Sequence, residues 1–180
     1  MSSTVIALAG NPNVGKSSVF NALTGLHQHT GNWTGKTVDL ATGSFSYKDN
    51  FYTLVDLPGT HSLFSHYGEE EIARDFLCRG TAALTVVVCD ATCLERSLNL
   101  VLQIQSITPH VIICLNLCDE ASKKGISIDT FALSQKLHAP VIETSATKGY
   151  GLEQLRIAIH AMATALPHTK ETDCFILPIS

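Results

Sequence analysis

Residues 10–17 read Gly-Asn-Pro-Asn-Val-Gly-Lys-Ser, the pattern G-x-x-x-x-G-K-S/T, between a short apolar run (4–10) and a helix-forming stretch (16–25). In that setting the backbone N–H groups of a loop and of a helix start converge on one point, which suits the β-phosphate of a nucleotide. Gly15 lets the backbone approach closely, Lys16 carries charge to β- and γ-phosphate oxygens, and the Ser17 hydroxyl can ligate Mg²⁺. Gly10, Asn11, Asn13, Val14 and Ser18 complete the candidate contacts of this loop. Residues 56–59, Asp-Leu-Pro-Gly, close another apolar run. Asp56 there can hold Mg²⁺ through water, and the Gly59 N–H is open to a γ-phosphate because no side chain obstructs it. Gly35-Lys36-Thr37 lies between these motifs, and Thr37 is placed to add a second hydroxyl to Mg²⁺ when a γ-phosphate is present, ordering its loop. Lys16, Thr37 and Gly59 are thus candidates for the chemistry itself.

The base is specified further along. Asn116-Leu117-Cys118-Asp119 ends a strongly apolar run, and ligands in open α/β sheets bind at the carboxyl ends of strands. A carboxylate at Asp119 accepts from both N1–H and the exocyclic amine of guanine. Adenine has no donor at the matching N1, so the acid would be left unpaired, and such mismatches discriminate strongly. Ser145, Ala146 and Thr147 follow the last apolar run and would offer backbone N–H groups to guanine O6. In this order the motifs point to GTP and GDP rather than ATP.

The elements that must position these residues alternate between strand-like and helical patterns, which predicts α/β architecture with a largely parallel sheet. Strands are expected over 4–10, 37–47, 51–57, 83–91, 110–117 and 140–146. Helices are expected over 16–25, 69–78, 94–104, 129–137 and 152–166. The stretch 37–47 alternates apolar and polar residues as a half-buried edge strand does, and should pair with 51–57 across Lys48-Asp49-Asn50. Residues 26–37 read as a long loop, and Gly25 as a C-cap. The acids Glu69, Glu70 and Glu71 match the positive end of a helix. Together these predict a Ras-like P-loop GTPase fold, six mostly parallel strands with one antiparallel edge strand and helices on both faces. Residues 1–166 form the nucleotide-binding domain. The tail 167–180 has no assignment and is expected to begin a further portion.

Composition fits one soluble domain: 180 residues, 45% apolar, net charge −4. No basic block announces a nucleic-acid partner, no apolar run approaches the roughly 18 residues that span a bilayer, and the N-terminus lacks a signal-peptide pattern. The six cysteines show no C-x-x-C spacing and read as reduced thiols, with Cys89 and Cys114 acting as small hydrophobes inside strands.

Beyond the general motifs, the chain resembles the G domain of FeoB-type ferrous iron transporters from about residue 4 to 166. The resemblance rests on GNPNVGKSSVFNALTG (10–25), GNWTGKTVD (31–39), DLPGTHSL (56–63), EEEIARDFL (69–77), DATCLERSLNLVLQI (90–104) and NLCDEASKKGISID (116–129). Thr34, Lys36 and His61 depart from the usual proline, valine and tyrosine. Leu117 stands where the general N-K-x-D motif has lysine.

The resemblance implies a helical and a transmembrane domain beyond residue 166, so that the chain is a soluble fragment acting at the cytoplasmic face of the inner membrane in ferrous iron uptake. Assembly with further copies of the chain is compatible with it. It also implies a K⁺ ion beside the phosphates, held by Asn13. That matters because Thr60, which follows Gly59, cannot present an amide to the attacking water as glutamine does. None of Arg74, Arg79, Arg96 and Arg156 lies in the loop around Thr37, so unassisted hydrolysis should be slow, on the order of 10⁻⁴ to 10⁻² s⁻¹. A cation at Asn13 would meet that electrostatic demand. His27, His29, His61 and His66 are not read as an iron site, since they fall on solvated segments. The reading is therefore a slow, K⁺-stimulated GTPase coupled to ferrous iron uptake. The alternative is a switch gated by binding alone. A ribosome-assembly GTPase would need a basic face or an RNA-binding domain that the sequence lacks.

Overall fold

The computed structural model describes residues 3–25, 28–32, 39–64 and 68–166. The chain runs β1 (Thr4–Gly10), α1 (Lys16–Thr24), β2 (Gln28–Asn32), β3 (Asp39–Tyr47), β4 (Asn50–Asp56), α2 (Glu69–Cys78), β5 (Leu84–Asp90), α3 (Leu94–Ile107), β6 (Val111–Asn116), α4 (Cys118–Lys123), α5 (Thr130–Leu137), β7 (Val141–Glu143), a 3₁₀ turn (Ala146–Lys148) and α6 (Leu152–Ala165).

The strands form one sheet in the order β2-β3-β4-β1-β5-β6-β7. β1 is parallel to both β4 and β5, β6 is parallel to β5, and β7 to β6. Only β3 runs against its neighbours, β2 and β4. This is the mostly parallel Ras-like arrangement, with two corrections. The described residues hold seven strands rather than six, because part of the expected loop 26–37 is strand β2. The strand over 37–47, observed as Asp39–Tyr47, is therefore not the edge; β2 covers it, pairing from Gln28↔Gly43 to Asn32↔Asp39. The sequence of β2, Gln-His-Thr-Gly-Asn, carries no apolar alternation, so its pairing is a matter of backbone hydrogen bonds that no pattern announces.

The central strands are apolar in succession because both faces of the sheet are covered. Val87, Ile113, Leu115 and Ala7 face one core with α2 and α3 residues such as Phe76, Leu100 and Ile104. Val86, Val88, Ile112 and Ile6 face the other with Phe20, Leu23, Leu155 and Ile159 of α1 and α6. Each valine, leucine and isoleucine among them contributes about 1.5–3 kcal/mol by leaving water, which fixes the register of β1, β5 and β6 and hence where their ends lie. Cys89 and Cys114 are fully buried among these residues, and burial pushes both thiols up to about 12.

The hairpin between β3 and β4 turns at Lys48 and Asp49, both with positive φ (47° and 61°), the two-residue turn whose twist suits antiparallel strands. Gly25 caps α1 in the left-handed conformation, its N–H on Asn21 O at 2.9 Å, as the sequence predicts. α4 is a helix beyond the five expected. Its six residues are too few for a periodic signal, and it starts after Leu117, which adopts φ 62°.

Candidate nucleotide site

β1 lies between β4, reached through α1, β2 and β3, and β5, reached later, so the sheet order reverses at its carboxyl end. That is where a cleft opens in an α/β sheet, and it is where residues 10–17 emerge. The loop is fixed tightly. A Cβ on Gly10 would stand 2.8 Å from Val88 O, and one on Gly15 would collide with the Asn116 amide nitrogen. Gly15 has φ 81° and caps α1, a conformation that any other L residue adopts only with strain. A cleft of about 370 Å³ lies against the loop, lined by residues that include Asn13, Gly15, Lys16, Ser17, Ser18, Gly59 and Glu69.

Lys16 and Asp56 are brought together: the ammonium donates to Asp56 Oδ1, both side chains being largely buried. Gly59 rests on Pro12, whose Cα would be 3.4 Å from an added Cβ. The residue after it is committed to the protein. Thr60 is buried, its N–H donates to Gly10 O at 3.2 Å, and its hydroxyl donates to Ser62 O at 2.6 Å. Asn11 Nδ2 donates to Thr60 O at 3.2 Å and lies 3.3 Å from His61 Nδ1. A carbonyl can only accept, so the amino side of Asn11 must face it, and His61 Nδ1 is then an acceptor with the proton on Nε2. Asn13 has φ 66° and stands exposed at the mouth of the cleft. Gly35, Lys36 and Thr37 lie outside the described residues, as do His27, His66 and the tail 167–180.

The other end of the site is organised by Asn116, which is 1% exposed. Its Nδ2 donates to Val14 O at 3.1 Å, and its Oδ1 accepts from Ala146 N and from the Thr144 hydroxyl, both at 3.1 Å. One side chain thus ties residues 10–17, 116–119 and 144–147 together, and the Ala146 N–H expected to serve a base already has this protein partner. Asp119 accepts from Ser145 Oγ at 2.7 Å and pairs with Lys148 Nζ at 2.9 Å. Those hydrogen bonds, Lys148 first, hold its carboxyl down to about 2. Leu117 lies beside Gly15, its Cδ2 3.9 Å from where a Cβ would be, and Thr147 falls in the 3₁₀ turn.

Three residues that organise the site carry no sequence signal of their own. Lys148 follows 145–147 and covers Asp119. Thr144 is fully buried behind Asn116. Gln103, on α3, accepts the Leu63 N–H at 2.6 Å. Ser17, Asp56 and Asn13 offer oxygen atoms, hard donors that suit Mg²⁺ and K⁺ rather than a soft metal. Among the described residues, no cluster of three or more His, Cys, Asp or Glu side chains is placed to hold a metal ion, and no helix is long and apolar enough to cross a membrane.

Residues 4–159 match the family model for ferrous iron transport protein B. The Fe(2+) transporter FeoB of Shigella flexneri is 45% identical over 163 residues, an overlap of 88% of this chain and 21% of that protein. The chain therefore spans about a fifth of that relative's length. The crystal structure of the G domain of the T. maritima FeoB iron transporter superposes with a TM-score of 0.83 at 44% identity, covering 90% of this chain and 99% of that one. The cytosolic domain of the same transporter in its GMPPNP form gives a TM-score of 0.84 at 44% identity, over 94% of this chain and 65% of that one. The chain belongs to the ferrous iron transport protein B family, over the part that corresponds to its N-terminal G domain.

Proposed function

We propose that this domain binds GTP and GDP with Mg²⁺, hydrolyses GTP slowly, and thereby controls or drives Fe(II) uptake by a membrane domain of the same protein at the cytoplasmic face of the inner membrane. The observation that carries the reading is the convergence of four loops at the carboxyl ends of β1, β4, β6 and β7, with Asn116 bonded to two of the other three. In the nucleotide complex, Lys16 exchanges part of its pairing with Asp56 for phosphate oxygens. Ser17, Thr37 and Asp56 are the residues that would hold Mg²⁺, which would neutralise charge on the phosphates. The Gly59 N–H meets the γ-phosphate. Asp119 takes the guanine N1–H and amine, with Lys148 moving aside.

Thr60 plays no chemical part in this reading, because its side chain is spent on Ser62. Backbone groups near Thr37 and Gly59 would orient the water, and K⁺ at Asn13, when bound, would supply positive charge that no arginine brings from the loop around Thr37. Phosphate release measured in KCl and in NaCl, for wild type and Asn13→Ala, tests the ion: faster turnover in KCl, lost in the variant, is expected. Equal rates in both salts would refute it. Competition of GDP and ADP for the site tests the base.

The burial of Thr60 supports a second reading, in which nucleotide binding alone gates transport and hydrolysis resets it. Turnover and iron flux measured together in the full-length protein separate the two, since a driven transporter ties flux to phosphate release.

A further inference from the structure

The stretch from Leu57 to Phe64 belongs to no helix or strand apart from its start beside β4, yet it is held at three places. Leu57 N–H donates to Leu8 O of β1 at 2.9 Å. Thr60 is joined to the phosphate loop through Gly10 O and the Asn11 amide. The third hold is Gln103. It sits on the inward face of α3 between Leu100 and Ile104 and is 7% exposed. Its Oε1 accepts the Leu63 N–H at 2.6 Å and the Ser62 hydroxyl at 3.3 Å, and Ser62 Oγ in turn accepts the Phe64 N–H at 3.1 Å.

A glutamine at such a position is costly to bury unless its polar atoms are used. Here its acceptor is used on a backbone donor that has no helix or sheet partner. Gly59 lies between the Leu57 and Thr60 attachments, and Thr60 is bonded in turn to Ser62, its hydroxyl donating to Ser62 O at 2.6 Å and accepting the Ser62 N–H at 3.2 Å, so the Gln103 hold reaches Gly59 through that pair.

We propose that Gln103 is a positioning residue for phosphate sensing, acting through Leu63 and Ser62 to hold the segment that carries Gly59 against the phosphate loop. This rests on the guanine-nucleotide reading above and adds a residue of α3 that touches no nucleotide. The hold matters more for a nucleotide with a γ-phosphate, because only that group meets Gly59, whereas GDP is held by residues 10–17 and 116–119. Losing a buried acceptor of this kind should weaken the γ-phosphate contact by about tenfold.

The test measures GMPPNP and GDP affinities of the 180-residue chain for wild type, Gln103→Met and Gln103→Glu. Methionine keeps the length without the acceptor; glutamate keeps an oxygen for the Leu63 N–H. The GMPPNP-to-GDP affinity ratio should fall about tenfold in Gln103→Met, with GDP affinity within about twofold, and Gln103→Glu should restore it. A wild-type ratio in Gln103→Met, or an equal fall in Gln103→Glu, overturns the proposal. Should either variant not fold, hydrogen exchange of the Leu63 amide in wild type decides: stronger protection with GMPPNP than with GDP is expected, and equal protection overturns it. Wild type that binds neither nucleotide overturns the guanine reading, and this inference with it.

Discussion

Replacing Asn116 by alanine should cost stability even with no nucleotide present. The side chain is 1% exposed and makes three hydrogen bonds, to Val14 O, from Ala146 N and from the Thr144 hydroxyl. Thr144 is the least harmed, because its hydroxyl also reaches Leu115 O at 3.5 Å and lies 3.2 Å from Cys114 Sγ. The lasting losses are a partner for Val14 O and one for the Ala146 N–H. Two net hydrogen bonds at about 1 kcal/mol each, plus about 1–2 kcal/mol for the orphaned N–H, give about 3–4 kcal/mol. Against a domain stability of about 5–15 kcal/mol this is a large fraction. Urea unfolding of the nucleotide-free chain should show a lower midpoint at unchanged slope. Thr144→Val alone should cost about 1 kcal/mol, and the double variant less than the sum, because the two residues share a bond. A cost for Asn116→Ala below about 1 kcal/mol, or strict additivity with Thr144→Val, would refute the claim that this amide joins the three loops.

Gly15→Ala should reduce guanine-nucleotide affinity by more than about tenfold and lower the unfolding midpoint. A Cβ at φ 81° is strained by about 1–2 kcal/mol and must displace the Asn116 amide; isothermal titration and thermal melts check both effects. Asp119 titrates well below its ordinary 3.8, so its contribution to folding is fully present above that pH and is lost as pH falls toward about 2. Guanine affinity should therefore show no dependence on Asp119 between pH 5 and 8. Lys148→Ala should move the acid-side loss of stability to higher pH, which an acid unfolding titration would detect. At pH 8 a thiol reagent should label the exposed Cys78 and leave Cys89 and Cys114 untouched until urea unfolds the chain, because burial holds those two near 12. Labelling of Cys114 in the native protein would contradict the packing described.

The parts of the fold that could be read from sequence are those in which hydrophobic burial dictates the pattern. β1, β5 and β6 are continuous apolar runs because both faces are covered, and the phosphate and base motifs sit at their ends, where the sheet order opens a cleft. The hairpin is readable because the polar pair Lys48-Asp49 interrupts the strand pattern on either side, although Asn50 already belongs to β4 and pairs with Tyr47. β2 was not, since an edge strand can be held by its backbone whatever its side chains are. α4 was not, since six residues following a left-handed leucine are set by the ladder between 116–118 and 144 rather than by propensity. The motif residues themselves were legible, but their mutual bonds were not. Nothing in the spacing says that Asn116 reaches back to Val14, that Lys148 covers Asp119, or that Gln103 reaches Leu63 from another helix. Those contacts arise only once the sheet brings the loops together.

The two polar residues of 116–119 differ in how separable they are from the rest of the molecule. Asn116 is wired into three loops, so a change there should disturb 10–17, 144–147 and folding at once. Asp119, among the described residues, is held through Ser145 and the exposed Lys148 rather than through the phosphate-loop residues. On the proposed reading, base preference would be a replaceable module: Asp119→Asn exchanges an acceptor for a donor and leaves the Asn116 bonds to Val14 and Ala146 in place. Reprogramming this domain to accept a purine with a carbonyl where guanine has its amine should begin at Asp119 and leave Asn116 alone.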